Sequence, residues 1–286
     1  MKVIKELCLA GACNRGICYI GSIKKLEEEN LLSLEKIIGT SIGAFIATCY
    51  IIGYKSDEML DIIINKNTGE FKDISFINYE GAIMKGDNYR NWIYEIISKK
   101  IDPYITLEEL YKKTNIYFLM TATCIYSSGN KFNEGLNYFS HEHSPNIPLI
   151  IAVNASMCFP FVFPPIKYEV GDEIYHFIDG GVLDNFPLDK ISSDGLALRV
   201  EHQQVDGLSS IKSPISYVGK LFELISKRLK ILNPGTTNNL IVIKCDDFSI
   251  IDFEMSIDDK ITLYKRGYNA ASKFINDSKI NEESIT

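Results

Sequence analysis

Histidine is scarce in this chain, four residues among 286, and lysine plus arginine (30) are outnumbered by aspartate plus glutamate (37). The resulting formal net charge of −7 excludes a protein whose main task is gripping a phosphate backbone, which needs a basic surface, so nucleic acid is not an expected partner. Long apolar runs are missing too. The longest, around Ala44 to Ile52 and Leu149 to Val153, fall short of the about 20 residues a membrane-spanning helix requires, so membrane contact has to be peripheral. The first residues, Met1 to Ala10, are interrupted by Lys5 and Glu6 and lack a signal peptide's apolar centre; no export is expected, and the chain reads as cytoplasmic. The cysteines (Cys8, Cys13, Cys18, Cys49, Cys124, Cys158, Cys245) are odd in number and contain no CxxC pair, the pattern of reduced, mostly buried thiols. His141 and His143 have metal-like spacing but no neighbouring cysteine to complete a set, and read as loop residues. No GK[ST] follows a glycine turn, and Gly11, Gly16 and Gly21 miss the GxGxxG spacing, so phosphate-loop and dinucleotide chemistry drop out.

What is present is the balance of an ordinary globular protein, 46% hydrophobic and 23% charged. Leu7 to Ala10 and Leu34 to Ile38 read as buried strands, each followed by a helical pattern, Arg15 to Asn30 and Ala44 to Gly53. This βαβα start predicts an α/β fold with a mostly parallel central sheet and helices on both faces. Further helices are expected over Asp57 to Asn65, Tyr89 to Lys100, Ile147 to Ser156 and Ile261 to Ile275, and further strands over Ile116 to Thr123, Leu196 to Val200 and Leu240 to Cys245. With no repeat and no linker, residues 1–286 are expected to form a single domain.

Gly39-Thr40-Ser41-Ile42-Gly43 stands between a strand and a helix. Flanking glycines let backbone segments approach closely while the serine takes a strained, exposed position, and the helix start directs unpaired N–H groups to the same spot. Packing alone also places small residues in such turns. A serine hydroxyl needs a base to take its proton. His176 and His202 are candidates, but Asp179-Gly180-Gly181 presents a carboxylate at a strand end with two glycines to turn the chain away, a pattern that also suits a surface turn.

In combination these stretches resemble the patatin-like phospholipases, α/β acyl hydrolases with a Ser-Asp dyad. Gly39 to Gly43 matches the family's GTSxG, Asp179 to Gly181 its DG[GA], Ala155 to Pro165 its AS-x-x-x-P-x-x-FPP stretch, and Asp184-Asn185-Phe186-Pro187 its DNxP. The resemblance implies Ser41 as nucleophile, Asp179 as base, no cofactor and no metal. It also implies a lipid acyl hydrolase of phospholipase A or lysophospholipase type, acting on phospholipid or another acyl lipid with transient membrane contact. The family's glycine-rich oxyanion loop aligns with Gly11-Ala12-Cys13-Asn14-Arg15-Gly16, where Ala12 and Cys13 replace glycines. Backbone donors survive there, but a residue held at positive φ with a Cβ carries about 1–2 kcal/mol of strain. The alternative is therefore a weakly active or inactive protein of the same fold that binds lipid or a partner.

Two stretches bear on lipid access. Val218 to Lys230 places Val218, Leu221, Phe222, Ile225 and Leu229 on one helical face with Lys220, Lys227, Arg228 and Lys230 elsewhere, which suits either a basic lipid-docking helix or a core-packed surface helix. Phe159, Phe161 and Phe163 suit either an acyl pocket or the core.

Overall fold

The computed structural model describes residues 2–74, 81–201, 217–221, 224–225, 228, 237–248 and 252–283, of which 281–283 as backbone only. Strand β1 (Ile4–Leu9), helix α1 (Ile17–Glu28), strand β2 (Leu32–Gly39) and helix α2 (Ile42–Ile51) alternate as the sequence pattern predicts. Helices α3 (Ser56–Asn65), α4 (Asp87–Ser98) and α5 (Leu107–Thr114) lead to strands β3 (Tyr117–Ser127) and β4 (Gly135–Phe139). Helix α6 (Leu149–Ser156), the hairpin β5 (Ile166–Val170) and β6 (Glu173–Asp179), strands β7 (Leu196–Glu201) and β8 (Asn239–Lys244), and helix α7 (Ile257–Glu283) follow.

The strands form one sheet in the order β5-β6-β3-β2-β1-β7-β8, with β4 paired to a stretch of β3. β3, β2, β1, β7 and β8 are mutually parallel, β4 and β6 run antiparallel to β3, and β5 reverses again against β6. The architecture is thus mixed α/β, a central, mostly parallel sheet flanked by helices. Alternation along β1 divides the interior: Leu7 and Leu9 join the large core under the helices, while Cys8 joins a smaller cluster with Ile38, Leu119, Ile191 and Ala197 on the other face.

Helix α5 and strands β4 and β5 are not anticipated in the sequence. The signal for α5 was local: Thr106 and Glu109 form a reciprocal capping box and Asn115, in the left-handed conformation, stops the helix. β4 and β5 are short and half-exposed, so they carry no long apolar run. In the stretch from Val218 to Lys230, residues 218–221 are helical and Leu221 and Ile225 are exposed, whereas Phe222, Lys227, Leu229 and Lys230 lie outside the described residues. No helix among the described residues is long and apolar enough to cross a membrane.

α1 crosses α7 at two glycines. A Cβ at Gly267 would stand 1.7 Å from the Cys18 carbonyl oxygen, one at Gly21 would stand 2.0 Å from that of Tyr264, and Ser22 Oγ donates to the Gly267 carbonyl at 2.8 Å. Alanine is favoured over glycine inside a helix by about 1 kcal/mol, but this backbone clash is the larger effect. Gly267→Ala is expected to lower Tm by roughly 5–10 °C, read by thermal unfolding; an unchanged or raised Tm would show that the crossing has room.

Candidate active site

β2 ends at Gly39, and the turn into α2 holds Ser41 at φ 55° and ψ −127°, a region that residues with a Cβ avoid and that costs about 1–3 kcal/mol. The flanking glycines explain how the turn closes. A Cβ on Gly39 would meet the Ala44 Cα at 2.5 Å, and one on Gly43 would meet the Leu9 carbonyl oxygen at 2.3 Å. The Ser41 N–H donates to the Oγ of Ser156 at the end of α6 (3.0 Å), and the Ser41 carbonyl accepts from Ala44 (2.8 Å), so the strained residue is held from both sides.

Asp179 is the last residue of β6. Pairing brings it level with Ser41: Gly39 pairs with Met120 across β2 and β3, Asp179 pairs with Ala122 across β3 and β6, and both partners lie two residues apart on β3. Gly180 lies so close to Thr121 that a Cβ would stand 2.4 Å from its carbonyl oxygen, so the chain makes this turn only without a side chain. Ser41 Oγ donates to Asp179 Oδ2 at 2.5 Å, and Gly181 N–H donates to Oδ1 at 2.8 Å. Asp179 N–H donates to the Cys158 carbonyl at 2.8 Å, and Thr123 Oγ1 donates to the Asp179 carbonyl at 3.1 Å. Asp179 is only 1% exposed, and burial pushes its carboxyl up to about 7 despite the Ser41 and Gly181 hydrogen bonds, which act the other way. A carboxylate tuned near neutrality and touching a hydroxyl is an arrangement for general-base chemistry.

The stretch from Gly11 to Gly16 lies beside this pair. Asn185 clamps it: the Gly11 N–H donates to the Asn185 carbonyl and Asn185 Nδ2 donates to the Gly11 carbonyl, both at 3.0 Å. Ala12 adopts φ −147°, which any residue tolerates, whereas Cys13 sits at φ 48° and opens a 3-10 turn, Cys13–Gly16. The strain expected of the missing glycines therefore falls on Cys13 alone. Asn14 Nδ2 donates to the Asp252 carbonyl, and Gly16 packs under Ile42, whose Cγ2 a Cβ would meet at 2.5 Å. Arg15 turns inward, 8% exposed, with Nε and Nη1 unpartnered among the described residues. Burial pushes the Cys13 thiol up to about 12, and the nearby Asp179 charge adds to this, so the sulfur stays protonated.

A cleft of about 880 Å³, open mouth included, runs from Ser41 and Cys13 between apolar walls that include Ile63, Phe71, Tyr89, Trp92, Phe159 and Phe163. Tyr89 stacks on Phe163 with ring centroids 4.7 Å apart. Of the three phenylalanines of the proline-rich stretch, Phe159 and Phe163 line the cleft while Phe161, at φ 64°, is 62% exposed. Lys260 lines the cleft with its charge already engaged: Nζ donates to the carbonyls of Ile63 (3.0 Å) and Lys66 (2.6 Å) at the end of α3. The cleft accordingly suits a hydrocarbon chain better than a phosphate.

Of the histidines weighed as bases, His176 packs its ring 5.5 Å from that of Tyr126, and His202 lies outside the described residues. His141 stacks on Tyr111 in a turn, and no three metal-ligating side chains cluster among the described residues. Ser156, Asn185 and Tyr89 are site residues to which the sequence reading assigns no role, although Ser156 and Asn185 stand in the two motif stretches that support the resemblance.

The family profile of the patatin-like phospholipases matches residues 7–190, the stretch from β1 to just beyond the Asp179 turn. The chain belongs to the patatin-like phospholipase family. Among its relatives is the probable lipid hydrolase 463L of Invertebrate iridescent virus 6, 28% identical over 200 residues, which covers 66% of this chain and 63% of that one, just under two thirds of its length. The uncharacterized protein YqhO of Bacillus subtilis (strain 168) is 25% identical over 93% of this chain and 96% of its own. Among solved structures, VipD from Legionella pneumophila superposes with a TM-score of 0.58 at 14% identity, covering 96% of this chain and 67% of that one, a likeness of fold.

Ionising Asp179 costs stability, because its folded-state value lies above the ordinary carboxylate value of 3.8. The folded protein binds the extra proton between about pH 4 and 7, so this group lowers stability as pH rises through that window. Asp179→Asn is expected to flatten this slope and to raise Tm by a few °C at pH 8, measured by thermal unfolding across pH. A variant that melts below wild type at pH 8 would contradict it.

Proposed function

We propose that the protein is a serine-type acyl hydrolase of lipids, of phospholipase A or lysophospholipase kind, working through Ser41 and Asp179 within one patatin-like domain spanning residues 1–286. The observation that carries this reading is the 2.5 Å contact between Ser41 Oγ and Asp179 Oδ2 at the end of an apolar cleft. Family membership and the lipid hydrolase named among its relatives support it.

In this mechanism Asp179 takes the Ser41 proton as Oγ attacks the acyl carbonyl carbon, and the carbonyl electrons move onto oxygen. Amide N–H groups of Ala12 and Cys13 are assigned to that oxyanion, next to the positive end of α2; removing one such donor costs on the order of a hundredfold or more in rate. The tetrahedral species collapses, the ester bond breaks, and Asp179 returns its proton to the departing alcohol oxygen. Water then attacks the acyl-serine, again with Asp179 as base, releasing fatty acid and free Ser41. The acyl chain lies along the cleft and the headgroup remains at its mouth, which requires the protein to meet a lipid surface transiently from the cytoplasm.

A fluorophosphonate probe separates this reading from a fold that binds lipid without turnover. Labelling at Ser41, absent from Ser41→Ala, is expected; an intact fold whose Ser41 stays unlabelled belongs to the second class. Turnover of a lysophospholipid is expected to fall at least about a thousandfold in Ser41→Ala and Asp179→Asn. The wild-type rate is expected to rise about tenfold per pH unit up to near pH 7 and then level off, because the base must be ionised. Cys13→Gly, which relieves the positive φ, is expected to leave turnover equal or higher, while Ala12→Gly brings no gain.

A further inference from the structure

Cys18, in the first turn of α1, and Cys245, one residue beyond β8, bring their sulfurs to 3.4 Å although 227 residues separate them in the chain. None of the seven cysteines forms a disulfide, and Cys18 with Cys245 is the one cysteine pair in contact among the described residues. Both residues are fully buried. Two arginines surround the pair. Arg15, one turn before Cys18, is nine-tenths buried with Nε and Nη1 lacking any partner among the described residues, and Arg266 on α7 is held in place by a bidentate pair with Asp247 (2.5 and 2.6 Å).

A buried guanidinium without a carboxylate is costly, and the field of Arg15 reaches both thiols, as well as the Cys13 thiol and the Tyr19 hydroxyl. The hydrogen bond shared with Cys18 holds the Cys245 thiol below its usual range, and the Arg266 and Arg15 charges act in the same direction, against the opposing effect of burial. Either sulfur can donate in this contact, which together with burial raises the Cys18 thiol. The Arg266 charge beside Cys245 favours that sulfur as the attacking thiolate and leaves Cys18 as the resolving thiol.

We propose that Cys18 and Cys245 are an oxidisable dithiol, converted by a small hydroperoxide into a disulfide that fastens the start of α1 to the end of β8. The Cys245 thiolate attacks one peroxide oxygen, the O–O bond breaks, and a sulfenic acid and hydroxide result. The Cys18 sulfur then attacks the sulfenic sulfur, the S–O bond breaks, its proton leaves with the departing hydroxide as water, and the S–S bond forms. Two electrons pass from the sulfurs to the peroxide. The new bond closes a loop of most of the chain, and a long closed loop is the case in which a cross-link restricts the unfolded state most.

The test treats the reduced full-length protein with hydrogen peroxide, alkylates remaining thiols after denaturation, and maps tryptic peptides. The expected product has lost about 2 Da, links the peptide of residues 16–24 to that of residues 245–260, and reverts with dithiothreitol. Its Tm is expected to rise by roughly 5–15 °C, a shift absent from Cys18→Ser and Cys245→Ser. Two free thiols, sulfinic acid without a cross-link, or a cross-link to another cysteine would each overturn the proposal. The wild-type peptide map decides the matter even if a serine variant does not fold.

Discussion

The hydrogen bond between the Ser41 hydroxyl and the Asp179 carboxylate joins residues 138 positions apart, and the surrounding structure is arranged so that this contact survives three unfavourable terms. Ser41 occupies a backbone region that costs about 1–3 kcal/mol, Asp179 is a carboxyl removed from water, and the two glycine turns have no side chains to pack. None of these is relieved locally. They are offset by a continuous core on the helical face of the sheet, which locks β2, β3 and β6 in register and leaves the turn no softer conformation to relax into.

The same burial that makes the carboxylate expensive makes it useful. An exposed aspartate, ionised throughout the neutral range with a value near 4, is a feeble base. Enclosed beside Cys158, Thr123 and the cleft wall, Asp179 is raised to about 7, and the hydrogen bonds from Ser41 and Gly181 keep it from rising further. Stability and proton affinity are thus set by one environment, as expected where a titratable group is held for a chemical task.

Beside the pair, the turn of residues 11–16 shows how a site absorbs a change of residue type. Two positions that the family fills with glycine carry side chains, but only Cys13 needs a positive φ; Ala12 lies in extended backbone. Asn185 holds Gly11 by both its backbone carbonyl and its side-chain amide, so the approach of the turn to Ser41 is fixed from the neighbouring segment and not by the turn's own composition.

Periodicity and turn chemistry, read along the chain, were sufficient for β1, α1, β2 and α2, because each buries apolar residues in a regular pattern and a turn residue stops it, Asn30 after α1, Gly39 at the end of β2 and Gly53 after α2. The same reading singled out Ser41 and Asp179, since a serine between glycines in a strand-to-helix turn and a carboxylate between a strand and two glycines are local patterns. It missed α5, whose signal lay in its caps, and β4 and β5, whose half-exposed residues leave no pattern. It also left the phenylalanines of the proline-rich stretch undivided, and only the fold turns Phe159 and Phe163 into the cleft and Phe161 to solvent. Distances between residues far apart in the chain belong to tertiary structure alone. The register of β2, β3 and β6, the hydrogen bond from Ser41 to Ser156, the clamp of Asn185 on Gly11 and the meeting of Cys18 with Cys245 each depend on how separate segments pack, and local sequence preferences do not encode packing between distant segments.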